Sequence, residues 1–107
     1  MAVQVLIRRK VVAGKVEEVA SLMVELRSRA RAQPVYMSSE SLRCIDPPGD
    51  DEYLIRSTWQ SIDQWQTWLQ SEERTEIQQK IDDITGEKTE YRVYESLVGG
   101  IFPKPIE

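Results

Sequence analysis

Thr58-Trp59-Gln60-Ser61-Ile62-Asp63-Gln64-Trp65-Gln66-Thr67-Trp68-Leu69-Gln70-Ser71 is the stretch that decides how this chain folds, and it holds all three tryptophans. Trp59 ends a strand that begins near Glu52. Ser61 has the position and chemistry of a helix N-cap. Gln64 completes an S-x-x-Q capping box, in which each side chain satisfies the other's free backbone N–H. Past the cap, Ile62, Trp65 and Leu69 fall at i, i+3 and i+7 on one apolar face, and Trp68 lies one step off that stripe and widens it. Ser71, followed by Glu72 and Glu73, starts a second helix with acidic groups at the positive end of its dipole.

Upstream, residues 3–12 are rich in β-branched residues (Val3, Val5, Ile7, Val11, Val12) and read as a first strand. With Val3, Val5 and Ile7 toward the core, Arg9 continues the same face at the strand's end. It either caps the core edge and reaches solvent, as long cationic side chains do, or marks the mouth of a pocket. Ala13-Gly14 breaks the strand. A helix from Lys15 to about Ala32 follows, with Val16, Val19, Ala20, Leu22, Met23, Leu26 and Ala30 at three-four spacing. Its acidic residues (Glu17, Glu18) come early and its arginines (Arg27, Arg29, Arg31) late, as the helix dipole favours. Pro34 stops it.

A second strand spans Val35 to Ile45. Its polar centre, Ser38-Ser39-Glu40-Ser41, is expected to look onto water or onto a polar part of a subunit interface. Asp46-Pro47-Pro48-Gly49-Asp50-Asp51 is a turn. It lacks the spaced acidic pattern of a calcium loop and reads as a solvated hairpin connection to the strand Glu52–Trp59. Helical segments follow over 61–70 and 71–84, the second with Ile77, Ile81 and Ile84 as its stripe and Gly86 as its C′ residue. A fourth strand runs from about Thr89 to Val98, with Tyr91, Val93, Glu95 and Leu97 on one face and Arg92, Tyr94 and Ser96 on the other. Residues 1–98 are expected to form one domain. Residues 99–107, with the only phenylalanine, form a tail suited to docking on a partner subunit.

The 107-residue chain carries a net charge of −4, which argues against a nucleic-acid or anionic-membrane surface. The N-terminal charges follow the apolar run rather than precede it, unlike a signal peptide, so the expected compartment is the cytosol. There is no histidine and a single cysteine, Cys44. That removes Ser-His-Asp and Cys-His mechanisms and a structural zinc site. Chemistry falls to carboxylates, Tyr, Arg, Lys, Trp, amides, or a group brought by the substrate.

The order β-α-β-β-α-α-β gives an α+β, ferredoxin-like fold, a four-stranded antiparallel sheet with helices on one face. Two such sheets pressed together through their open faces make a symmetric dimer. Gly14 before an acidic amphipathic helix, the polar second strand and the run Glu52–Ser61 resemble the antibiotic biosynthesis monooxygenase family, whose members are dimeric α+β barrels. The family motif W-x-S-x-x-x-(W/F)-x-x-(H/W) is matched by Trp59, Ser61, Trp65 and Trp68, and the resemblance spans about residues 3–97.

The resemblance implies cofactor-free oxygenation of a quinol-like or polycyclic aromatic, or haem degradation. Haem-degrading members keep the tryptophan at Trp68, with a haem-ligating histidine ten residues later and an asparagine in strand one. Here those positions hold Gln78 and Ile7. An amide is a poor iron ligand and isoleucine donates no hydrogen bond, so haem degradation is disfavoured and no cofactor is expected.

For cofactor-free chemistry the protein must hold a planar aromatic, favour its deprotonation and exclude water. Candidate pocket residues are Trp68, Trp65, Gln78, Ile7, Arg9 and Tyr53, with Tyr36, Tyr91 and Tyr94 as further walls and Arg56 as a further cation. Trp59 and Trp65 also suit plain core packing, and Gln78, beside Ile77, is expected as a solvated or helix-facing amide. The alternative is a non-catalytic dimeric module that binds a small molecule. A pocket holding Trp68 and a polar group favours catalysis, whereas one filled by the chain's own side chains favours a structural role.

Overall fold

A computed structural model describes residues 2–34, 36–48 and 51–95. The elements are β1 (Val3–Lys10), a 3-10 turn (Ala13–Lys15), α1 (Val16–Arg31), β2 (Tyr36–Arg43), β3 (Glu52–Trp59), α2 (Ile62–Leu69), α3 (Glu72–Thr85) and β4 (Glu90–Glu95). The sheet order is β2-β3-β1-β4, with every neighbouring pair antiparallel. This is the expected ferredoxin-like α+β arrangement. The tail 99–107 and residues 96–98 of the expected fourth strand lie outside the described residues. No described helix is long and apolar enough to cross a membrane.

Strand period decides which residues meet the helices. Val3, Val5, Ile7 and Arg9 of β1 lie opposite Trp59, Ser57, Ile55 and Tyr53 of β3, all toward the helical layer. Gln4, Leu6, Arg8 and Lys10 pair with Thr58, Arg56, Leu54 and Glu52 on the open face. β1 ends two residues earlier than expected. Val11 leaves the ladder, donates its N–H to Asp51 O at 2.9 Å and packs with Val19, Ile77 and Ile81 in the aliphatic half of the core.

The other half of the core joins Val3, Val5 and Ala30 to the three tryptophans. Trp59 sits centrally, with ring centroids 5.5 Å from Tyr36, 5.6 Å from Trp65 and 6.2 Å from Trp68. Such edge and stacked pairs each add about 0.5–1.5 kcal/mol beyond area burial. The contact corrects the expected α2 stripe, because Trp65 and Trp68 are buried while Ile62 is exposed. At 100° per residue, a face centred between the two indoles leaves Ile62 about 90° away.

Ser61 and Ser71 cap α2 and α3, accepting from the backbone N–H of Gln64 and Arg74, each at 3.3 Å. The capping box is only half made, however. Among the described residues Gln64 Oε1 is buried without a partner, and the reciprocal bond to Ser61 is not formed. Gly86 ends α3 at φ +71°, the left-handed position that favours glycine.

One irregularity shapes the site. A register shift in β2 between Tyr36, opposite Trp59, and Ser38, opposite Thr58, inserts one residue into the strand. The bulge changes parity, so Tyr36 and Ser39 both fall on the helical side. The polar centre of β2, expected on water or a subunit interface, is therefore split. Ser39 and Ser41 turn inward, while Ser38 and Glu40 turn to the open face.

Candidate functional site

Between the inner sheet face and the helices lies a cavity of about 320 Å³. α1 lines it with Val16, Met23 and Leu26 together with the small Ala20 and Ala30. Its open side is marked by Val24, Arg27 and Ser41, all exposed and all in the lining. The structure brings Trp68, Trp65, Gln78, Ile7, Arg9 and Tyr53 onto this one cavity. Tyr36 and Tyr91 join them.

Two other candidates go elsewhere. Tyr94 and Arg56 alternate onto the open face, where Arg56 Nη2 donates to Glu40 at 2.8 Å. Neither reaches the cavity. The tryptophans serve both readings, since Trp59, Trp65 and Trp68 are core members whose faces also wall the cavity.

Arg9 does not snorkel to solvent. It is 3% exposed, and its Nη2 donates to Gln78 Oε1 at 2.8 Å. Burial lowers the Arg9 pKa, while Tyr91 and Asp82 act in the opposite sense and Arg74 adds to the lowering. Gln78, expected as a solvated or helix-facing amide, is buried too. Its Nε2 donates to Asp82 Oδ1 at 2.8 Å and to Thr89 Oγ1 at 2.7 Å. The amide thus stands between the Arg9 guanidinium and the Asp82 carboxylate, and no ion pair to Arg9 forms among the described residues.

Arg74 is among the cavity residues that sequence reasoning missed, with Ser39, Ser41 and Ser57. Its Nε donates to Leu69 O at 2.6 Å and its Nη1 to Tyr91 OH at 2.8 Å, with the guanidinium 5.6 Å from the Tyr91 ring centre. A signal existed: Arg74, Ile77, Gln78 and Ile81 follow i, i+3, i+4, i+7, a buried stripe with two polar members.

Haem does not fit these residues. The Gln78 amide is committed to Arg9, Asp82 and Thr89, with a guanidinium directly against its oxygen. Ile7 offers the cavity only hydrocarbon. The set suits a flat organic guest with an electron-rich oxygen, because apolar walls carry a few fixed donors.

Comparison with known proteins agrees with the fold. A conserved protein from Methanosarcina mazei superposes with a TM-score of 0.78 at 16% identity, covering 89% of this chain and 92% of that one. A point mutant of SnoaB, a cofactor-independent oxygenase from Streptomyces nogalater, gives 0.75 at 18% identity, with coverage of 89% and 92%. Rv0793 from Mycobacterium tuberculosis gives 0.77 at 14%, with coverage of 92% and 97%. No curated protein matches the chain by sequence. The antibiotic biosynthesis monooxygenase family model matches residues 2–80, most of the chain, and the protein belongs to that family.

Proposed function

We propose that this protein is a cytosolic, cofactor-independent monooxygenase that oxidises a quinol-like or polycyclic aromatic small molecule and works as a homodimer. The observation that carries the reading is the cavity, left unfilled by the described residues, with Trp65, Trp68 and Tyr91 as aromatic walls and the buried Arg9 cation beside them. The fold shared with SnoaB, a cofactor-independent oxygenase, supports it.

The chemistry balances with dioxygen as the oxidant. An anthrone-type substrate loses a proton from its CH2 group, and the charge spreads onto its carbonyl oxygen. The carbanion carbon bonds one oxygen atom of O2, the other leaves as water, and a CH2 group becomes C=O. The protein holds the ring system and fixes positive charge near the developing oxyanion. Among the described cavity residues there is no carboxylate and no imidazole, so the proton passes to water. kcat/KM is therefore expected to rise with pH along a single limb set by the substrate's own ionisation, without the limb near about 6.5 that a histidine base gives. A bell-shaped profile would contradict this route.

The direct test is anthrone under oxygen, following anthraquinone and oxygen uptake. The protein should outpace buffer, and Trp68→Ala should fall on the order of 10²-fold through misplacement of the ring. The absence of a base among the described lining residues favours a second reading, a non-catalytic small-molecule binding module. Equal rates for protein, variant and buffer would rule out the oxygenase for this substrate. The dimer would cover the open sheet face, where Leu6, Leu42, Leu54 and Tyr94 lie among charges. A one-chain molar mass by light scattering refutes that part.

A further inference from the structure

The charges around the cavity do not follow those of the chain. Acids outnumber bases by 18 to 14 over the whole sequence. Yet the charged residues of the described lining are three arginines, Arg9, Arg27 and Arg74, and no carboxylate. Arg9 is held by Gln78, and Arg74 by Leu69 and Tyr91. Arg27 differs from both. It is exposed, it stands at the mouth, and it has no hydrogen-bond or ion-pair partner among the described residues.

The mouth opens between α1 and β2, an edge strand of the sheet. Its other exposed lining residues are Ala20 and Val24 on α1 and Ser41 on β2, so the rim around the cation is apolar or neutral. The carboxylates of both elements are turned away or used. Glu18 and Glu25 fall about 180° and about 160° around the helix from Arg27. Glu25 also pairs with Arg29. Glu17 is about 15 Å along the axis, nearly two screening lengths at physiological salt. Glu40 of β2 lies on the open face with Arg56. Arg43, two residues past Ser41 on the same side of β2, adds a second exposed cation. A cleft lined by one sign of charge focuses its field and draws the opposite charge to its entrance.

We propose that Arg27 sets specificity at this mouth. The guest is an amphiphilic carboxylate, whose apolar body enters between α1 and β2 and whose carboxylate stays outside against the guanidinium. A carboxylate left at the rim keeps its water and escapes the desolvation cost that burial would add. The end that reaches Trp65 and Trp68 is then the one remote from the charge. This rests on the cavity's being the substrate site, and adds which group of the guest remains outside and which residue reads it.

Octanoate, 1-octanol and octylammonium share one apolar body and differ at its end. Each is titrated into the full chain, and the fluorescence of the tryptophans that line the cavity reports binding. Octanoate is expected to bind saturably. The ratio of the octanol to the octanoate dissociation constant should fall about two- to fivefold in Arg27→Gln, the range of an exposed ion pair. Arg27→Glu should carry the change further and turn the preference toward octylammonium. Arg27→Lys should keep most of the wild-type preference, and added salt should weaken it. Arg29→Gln removes an equal charge from the other side of α1 and should leave the ratio unchanged. Both positions are exposed, so the variants are expected to fold. Absence of saturable octanoate binding, a ratio unmoved by Arg27→Gln, or an equal shift in Arg29→Gln overturns the assignment. Anthrone turnover by the wild-type chain, measured alongside, separates the two ideas. Carboxylate preference without turnover sinks the oxygenase and leaves the mouth; turnover without the preference does the reverse.

Discussion

Arg8 and Arg9 are adjacent in the chain and meet opposite fates. Arg8 points to the open face, where its side chain is 44% exposed and its Nε donates to Glu52 Oε1 at 2.9 Å. Arg9 points beneath the helices, is buried, and touches a neutral amide. The same pattern extends over both faces. Outside, Arg56 and Glu40 cancel one another in water. Inside, among the described residues, a cation is kept without a contacting anion, beside a cavity. A strand that alternates by one residue thus separates a charge that keeps a surface wet from a charge buried against an amide.

The comparison can be broken most forcefully at the packing level. Trp59→Ala on the covered face should cost about 3–5 kcal/mol by urea denaturation, as large aromatic truncations do. Leu42→Ala on the open face should cost under about 1 kcal/mol at low protein concentration, because Leu42 is 45% exposed in the single chain. Equal losses would mean the two faces are not differently packed. A Leu42→Ala penalty that grows with protein concentration would instead sharpen the contrast by placing a second copy on that face.

Next come the two arginines themselves. Arg9→Met should raise stability by about 1–3 kcal/mol, since a buried, unpaired charge is replaced by a flexible apolar chain. Arg8→Met should change it by less than about 1 kcal/mol. A destabilised Arg9→Met would show that the guanidinium holds the fold rather than awaits a ligand. A position on neither sheet face calibrates the scale: Ser61→Ala should cost about 1 kcal/mol as a lost N-cap. Gln64→Ala should cost far less, because the return bond of the box is missing. The smallest effect is expected for Arg56 and Glu40, where a double-mutant cycle should give under about 0.5 kcal/mol, fading with salt.

The fold was legible where one local rule decided the outcome. Ser61, Ser71 and Gly86 announce helix ends, and Val3-Val5-Ile7 announces an inner strand face. Six candidate residues also share one cavity, since strand parity and helix stripe point them inward together. What was hidden required knowing two elements at once. Gln78 lies on the buried stripe of α3, but its partners, Arg9 of β1 and Thr89 before β4, come from elsewhere in the chain. Arg74 looks like an ordinary first-turn cation until Tyr91 arrives from β4. The inward turn of Ser39 depends on a one-residue bulge that no pattern in the serine run marks. Arg56 and Tyr94 were misplaced because aromatic and cationic character says nothing about which side of a strand a residue occupies.

The tryptophan cluster has an optical consequence. Trp59 and Trp68 stack 6.2 Å apart at 25°, and Trp65 meets Trp59 at 61°. Indoles this close do not absorb and emit independently: excitation is shared among them, and their transitions couple into near-ultraviolet dichroism. All three also line the cavity. A guest that touches one ring dims or shifts the light of the whole set, so the protein carries its own gauge of whether the cavity is occupied.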